Sequence, residues 1–97
     1  MIWIVRQTDT FADWFAMLRD ARAKSRIAAR IVRIQAGNFG DCKSIGGGVS
    51  ELRVDVGPGY RVYFTRRGDE LIILLCGGDK GSQRRDILTA KALAEEV

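Results

Sequence analysis

The sequence predicts an α+β fold, and three features predict it. Apolar residues recur at helical spacing in the first third and again near the end. Strict two-residue alternation runs through the middle, and Gly-rich turns separate the alternating segments. The predicted order is strand, helix, helix, strand, strand, strand, helix. That is a small antiparallel sheet with an N-terminal helical hairpin and a C-terminal helix, in one domain over residues 1–97.

Ile2–Arg6 is β-branched and aromatic, and reads as a short strand. Thr10-Phe-Ala-Asp13 fits a capping-box-like helix start. Phe11, Trp14, Phe15 and Leu18 then make one apolar stripe on a helix over residues 10–20. A second helix follows over 21–36, with Ile27, Ile31 and Ile34 as its core stripe and Gly37-Asn38 as its stop. Arg22, Arg26, Arg30 and Arg33 form a basic stripe beside it. Two helices joined this tightly are expected to form an antiparallel hairpin.

Residues 37–48 read as a loop. The tract Gly46-Gly47-Gly48 lacks the Lys-Ser/Thr that a phosphate-binding loop needs. The segment 49–56 alternates, with Leu52, Val54 and Val56 on one side and Glu51, Arg53 and Asp55 on the other. Gly57-Pro58-Gly59 is a turn, and a strand over 60–66 carries Tyr60, Val62 and Phe64 against Arg61, Tyr63 and Thr65. After a turn at Gly68-Asp69, Leu71–Cys76 is continuously apolar and reads as the central strand or as one buried on both faces. Gly77-Gly78-Asp79-Lys80-Gly81 reads as a loop. Ser82 then caps a last helix reaching residue 95, with Ile87, Leu88 and Leu93 as its apolar contacts.

Composition narrows the function. With 46% hydrophobic and 29% charged residues the chain is globular. No apolar run approaches the ~20 residues that span a bilayer. The apolar opening from Met1 is too short for a signal peptide, so a cytoplasmic protein with no membrane partner is expected. There is no histidine, which excludes histidine acid–base catalysis, and two cysteines are too few for a zinc site. Neither a metal nor a cofactor is expected. Cys76 reads as a small core residue, and both thiols as reduced. The net charge of +4 is concentrated in residues 1–37, where seven Lys/Arg face three Asp/Glu. Such a face suits a polyanion or an acidic protein, or is simply a solvated surface.

The central hairpin carries the candidate chemistry. A three-residue Gly-Pro-Gly loop pairs Val56 with Tyr60, Asp55 with Arg61, Arg53 with Tyr63 and Glu51 with Thr65, and it keeps all polar positions on one exposed face. Metal-free RNA cleavage needs a base at a 2′-hydroxyl, cations on the phosphate and an acid at the 5′-oxygen. Glu51 can be the base, Arg53 and Arg61 can grip the phosphate, and Lys80 can add a cation. Tyr63 can stack on a base or donate a proton, and Arg84 and Arg85 can contact RNA. The blander alternative is an Asp55–Arg61 cross-strand ion pair among solvated residues.

The stretch from Gly48 through Gly57-Pro58-Gly59-Tyr60-Arg61-Val62-Tyr63 to Phe64 resembles the sheet signature of the RelE/ParE toxin superfamily. Gly77-Gly78-Asp79-Lys80-Gly81-Ser82-Gln83, followed by Arg85-Asp86-Ile87, is similar to the HigB-like addiction module killer subgroup. The resemblance covers essentially the whole chain. It implies a RelE-like fold and a type II toxin that cleaves mRNA on the ribosome and inhibits translation. It also implies a cognate antitoxin, commonly of helix-turn-helix type. Arg61 matches the arginine of the family's Tyr-Arg pair, and Arg53 falls where a catalytic lysine stands. Glu51 falls at a second basic position with its charge reversed, and Lys80 lies near a further cation. The chain departs from the pattern in having no Tyr in its last helix and no His. Two alternatives stay open. One is a ParE-like gyrase poison, and the other a non-catalytic antitoxin binder. The Arg22–Arg33 stripe is expected to meet antitoxin or rRNA.

Overall fold

The structure is a computed structural model and describes residues 2–97. Met1 of the apolar opening lies outside the described residues. The elements run β1 (Ile4–Gln7), α1 (Asp9–Met17), α2 (Ala21–Gln35), β2 (Cys42–Gly46), β3 (Val49–Val54), β4 (Tyr60–Arg67), β5 (Leu71–Asp79), a 3₁₀ turn (Lys80–Ser82) and α3 (Gln83–Glu96). The five strands form one sheet in the order β1-β5-β4-β3-β2.

β4, and not β5, stands at the centre, and two further features of this sheet differ from expectation. β1 runs parallel to β5, so the sheet is mixed and not purely antiparallel. A four-residue strand carries too little pattern to announce a partner far along the chain. The second difference is β2, an edge strand inside the expected loop. It pairs antiparallel with β3 through a bulge between Ser44 and Gly46, and its Cys-Lys-Ser-Ile-Gly sequence shows no clear alternation.

Helices cover both faces. On one, Phe11 of α1 and Ile27 and Ile34 of α2 pack on Leu52, Val54, Val62, Phe64, Ile72 and Leu74. On the other, Ala90 and Ala94 of α3 pack on Val49, Tyr63, Leu75 and Cys76. β5 feeds both because Ile72 and Leu74 alternate with Ile73 and Leu75, and a bulge at Leu75, between the pairs Tyr63↔Cys76 and Phe64↔Leu74, puts Cys76 in the same core as Leu75. Burial on both faces explains why its sequence is continuously apolar. Of the expected α3 contacts, Ile87 and Leu93 touch this core, whereas Leu88 is 68% exposed.

Local chemistry sets the ends. Thr8 caps α1, two residues before the expected Thr10, because its hydroxyl has a second task. It accepts from the Phe11 amide at 3.0 Å and donates to the Leu75 carbonyl at 2.6 Å. Asp20 caps α2 by accepting from the Arg22 and Ala23 amides. Arg67 closes α3 by donating to the Ala94 and Val97 carbonyls at 2.8 and 3.0 Å. Gly77 and Gly78, expected in a loop, end β5. A Cβ at Gly77 would overlap the Trp14 ring, and one at Gly78 would overlap the Asp86 carboxylate. No helix is long and apolar enough to cross a membrane among the described residues.

Candidate active site

The β3–β4 register places two arginines face to face. Arg53 pairs with Arg61, Glu51 with Tyr63 and Val54 with Tyr60. The expected register is therefore slipped by two residues, and the turn is longer than Gly57-Pro58-Gly59, running from Asp55 through Gly59. A slip of two preserves side-chain parity, so Glu51, Arg53, Arg61 and Tyr63 still share a face. The expected Asp55–Arg61 cross-strand pair does not form, because Asp55 has moved out of the ladder into the turn.

The face is not uniformly wet, because α3 lies across half of it. Glu51 is 3% exposed and Tyr63 is fully buried. Both corrections have the same cause: strand alternation tells which residues share a side, not which side a later helix covers. Tyr63 cannot stack on a nucleobase from there. Its hydroxyl has no partner among the described residues, and burial together with nearby Glu51 pushes its pKa well above the ordinary phenol value. Glu51 is not a free base either. Its Oε1 accepts from Arg61 Nε at 2.5 Å, and Gln83 Nε2 of α3 approaches both oxygens at 3.3 and 3.4 Å.

Each of the facing arginines thus has its own carboxylate. Arg61 is held by Glu51, and Arg53 Nε lies 3.5 Å from Asp41 Oδ1. Like charges directly opposite in a ladder oppose pairing, and these two carboxylates offset that repulsion. Engagement through Nε leaves the far end of the Arg61 guanidinium turned to the turn, with Nη1 3.5 Å from the Gly59 carbonyl. Gly59 has φ +83°, and a Cβ there would sit 3.9 Å from Arg61 Nη1 and 4.0 Å from Lys80 Cβ. Arg53, Arg61 and Lys80 consequently line one cleft of about 290 Å³, with Asp41 and Asp55 in its wall. Three cations lining one concave site suit an anionic group such as a phosphate.

The basic stripe on α2 divides. Arg22, Arg26 and Arg33 are exposed. Arg30 is half-buried and works internally, donating to the Arg53 carbonyl at 2.7 Å and the Phe39 carbonyl at 3.2 Å. It is a clamp and not part of a free contact face, because the stripe's third position points at the β3 backbone. Arg84 and Arg85 are exposed on α3 and border a separate depression with Gly81, Ser82 and Leu88, outside the Arg61 cleft. Among the described residues no His/Cys/Asp/Glu group has the arrangement to hold a metal ion.

Sequence reasoning missed Asp41 and Gln83. Asp41 leads into the unrecognised strand β2, and its carbonyl accepts from the Arg53 amide at 3.0 Å. Gln83 opens α3, one residue past the expected cap, which aims it back at Glu51.

Three similarities to known proteins bear on the family and the fold. The family model described as Phage derived protein Gp49-like (DUF891) matches residues 13–96. An uncharacterized protein of Haemophilus influenzae is 53% identical over 93 residues, 96% of this chain and 94% of that one. The free-state structure of an E. coli toxin RelE mutant superposes with a TM-score of 0.76, covering 95% of this chain and 96% of the other at 9% identity. The chain belongs to the phage-derived Gp49-like family and folds as RelE does.

Proposed function

We propose that the protein is the toxin of a toxin–antitoxin pair and acts by cutting mRNA without a metal, on the translating ribosome in the cytoplasm. The family and the fold support the toxin reading. One observation carries the chemistry: Arg53 and Arg61 oppose each other across the hairpin beside Lys80, in one cleft. Two guanidinium groups and an ammonium held together gain most when an anion sits between them. The charge that develops on a phosphorane is such an anion. Arg61, held by Glu51, stabilises it with little reorganisation during the reaction. In this reading Glu51 aims Arg61 and does not take a proton. Exposed Arg84 and Arg85 extend the RNA contact, and Arg22, Arg26 and Arg33 offer a basic face to an acidic antitoxin segment or to rRNA.

The test is brief induction in cells, followed by primer extension on total RNA. New 5′ ends in mRNA are expected, together with growth arrest. Removing Arg61 alone would strand buried Glu51 without its partner, which costs about 3–5 kcal/mol in such pairs. Arg53→Ala is therefore the cleaner variant, since its partner Asp41 is 62% exposed. Arg53→Ala and Arg61→Lys should each lower cleavage by about 100-fold or more with the circular dichroism spectrum retained. Undiminished toxicity in both overturns the cleft as the site. A DNA damage response without new RNA ends overturns RNA cleavage in favour of gyrase poisoning.

A further inference from the structure

We infer that Asp41 is the group that accepts the 2′-hydroxyl proton, an assignment that rests on the RNA-cleavage reading above. With Glu51 sealed beneath α3 and committed to Arg61, the cleft wall keeps two carboxylates, Asp41 and Asp55. They differ in how they are held. Asp41 is stapled to the strand that carries Arg53. The Arg53 amide donates to the Asp41 carbonyl at 3.0 Å, and Arg53 Nε lies 3.5 Å from its carboxylate. The segment just before it is pinned as well. Arg30 grips the Phe39 and Arg53 carbonyls together, and the Cys42 thiol donates to the Phe39 carbonyl at 3.1 Å.

Position 40 completes this anchorage. Gly40 has φ +65°, and a Cβ there would stand 2.9 Å from Arg30 Nη2. The positive φ favours glycine here, and a side chain would also crowd the guanidinium that grips the two carbonyls. Asp55, by contrast, begins the hairpin turn and forms no ion pair among the described residues. Its side also borders a second cleft lined by Arg26, Arg30 and Arg33. It stands on the ridge between two depressions, whereas Asp41 faces the cations of the first.

A base must be pre-placed within reach of the proton it removes, and a carboxylate whose backbone is locked meets that condition better than one on a turn. At 62% side-chain exposure Asp41 is also open to substrate. The step balances within the cleft. The 2′-oxygen gives its proton to the Asp41 carboxylate and forms a bond to phosphorus. The bond from phosphorus to the 5′-oxygen breaks, and that oxygen takes a proton from the Lys80 ammonium. The products are a 2′,3′-cyclic phosphate end and a 5′-hydroxyl end. Arg53 then contacts both the base and the phosphate, so it sets their separation.

The experiment compares Asp41→Asn, Asp41→Glu and Asp55→Asn with wild type. Single-turnover cleavage of mRNA is followed from pH 4 to 9, on ribosomes or free, whichever wild type cuts. Asn keeps the shape and the contact to Arg53 but has no basicity. A fall of about 100-fold or more in the rate at saturation is expected for Asp41→Asn, with little change in KM and loss of the rising acid limb of the pH profile. Asp41→Glu should recover part of the rate, which a merely structural role for the side chain would not require. Equal cutting by wild type and Asp41→Asn overturns this assignment alone, as does loss confined to Asp55→Asn. Wild type that leaves every mRNA intact, or that cuts equally when the scissile nucleotide is 2′-deoxy, overturns the underlying reading of the cleft.

Discussion

Tyr63 is a phenol in the wrong surroundings. It is fully buried, and its hydroxyl finds no partner among the described residues. Cys76 lies near it, with its thiol pushed up to about 12 by burial first and by Asp86 second. Both groups resist ionisation in the fold more than in the unfolded chain. The unfolded chain therefore releases protons first, starting near the ordinary thiol value of 9.0, while the folded chain keeps them. Stability should be fully present below that pH and decline as pH rises from about 9 toward 12, a trend that urea titrations at successive pH values would reveal. Tyr63→Phe removes the orphaned hydroxyl. It should raise Tm, by about 1 kcal/mol in stability terms, and flatten the alkaline decline. A lower Tm for that variant would mean the hydroxyl has a partner such as a buried water. The alternation in the sequence placed this residue on the Glu51–Arg61 face. Its burial was not legible there, because residues 83–96 cover it and nothing in the strand itself says so.

Glycines at the end of β5 show how far an element depends on its neighbours. Gly77 and Gly78 read as loop because glycine weakens strands. They are strand residues because Trp14 presses on one face and Asp86 and Ser82 on the other, leaving no room for a Cβ. Ser82 donates to the Asp86 carboxylate in a short hydrogen bond at the same place. Gly78→Ala should therefore lever the start of α3 off the sheet and cost about 1–3 kcal/mol. Because α3 brings Gln83 to Glu51, cleavage should fall even where the variant remains folded, which calorimetry beside the cleavage assay would separate. Helices were the most readable elements. Ile27 and Ile34 in α2 and Phe11 in α1 are buried as their spacing predicts. β2 was illegible because an edge strand of five residues with a bulge owes its register to β3 and not to its own pattern.

At the scale of the whole molecule, the sheet is closed on one side by its first strand. β1 covers an edge of β5 that would otherwise be open over Leu71 to Leu74. Deleting residues 2–7 should leave that apolar edge available to other chains, and the product should elute as aggregate in size-exclusion chromatography. A monodisperse, active product would show that β1 is dispensable. The fold class was readable from periodicity. The parallel pairing was not, since Ile4 meets Leu71 across 67 positions of sequence. That separation also sets an order of events at birth. The opening strand emerges from the ribosome long before its partner has been made. At roughly 5–20 residues per second it waits roughly 3–13 s for residues 71–74. For that interval the nascent chain lacks β5 and the 3₁₀ turn with Lys80, so the candidate cleft can be assembled only near the end of synthesis.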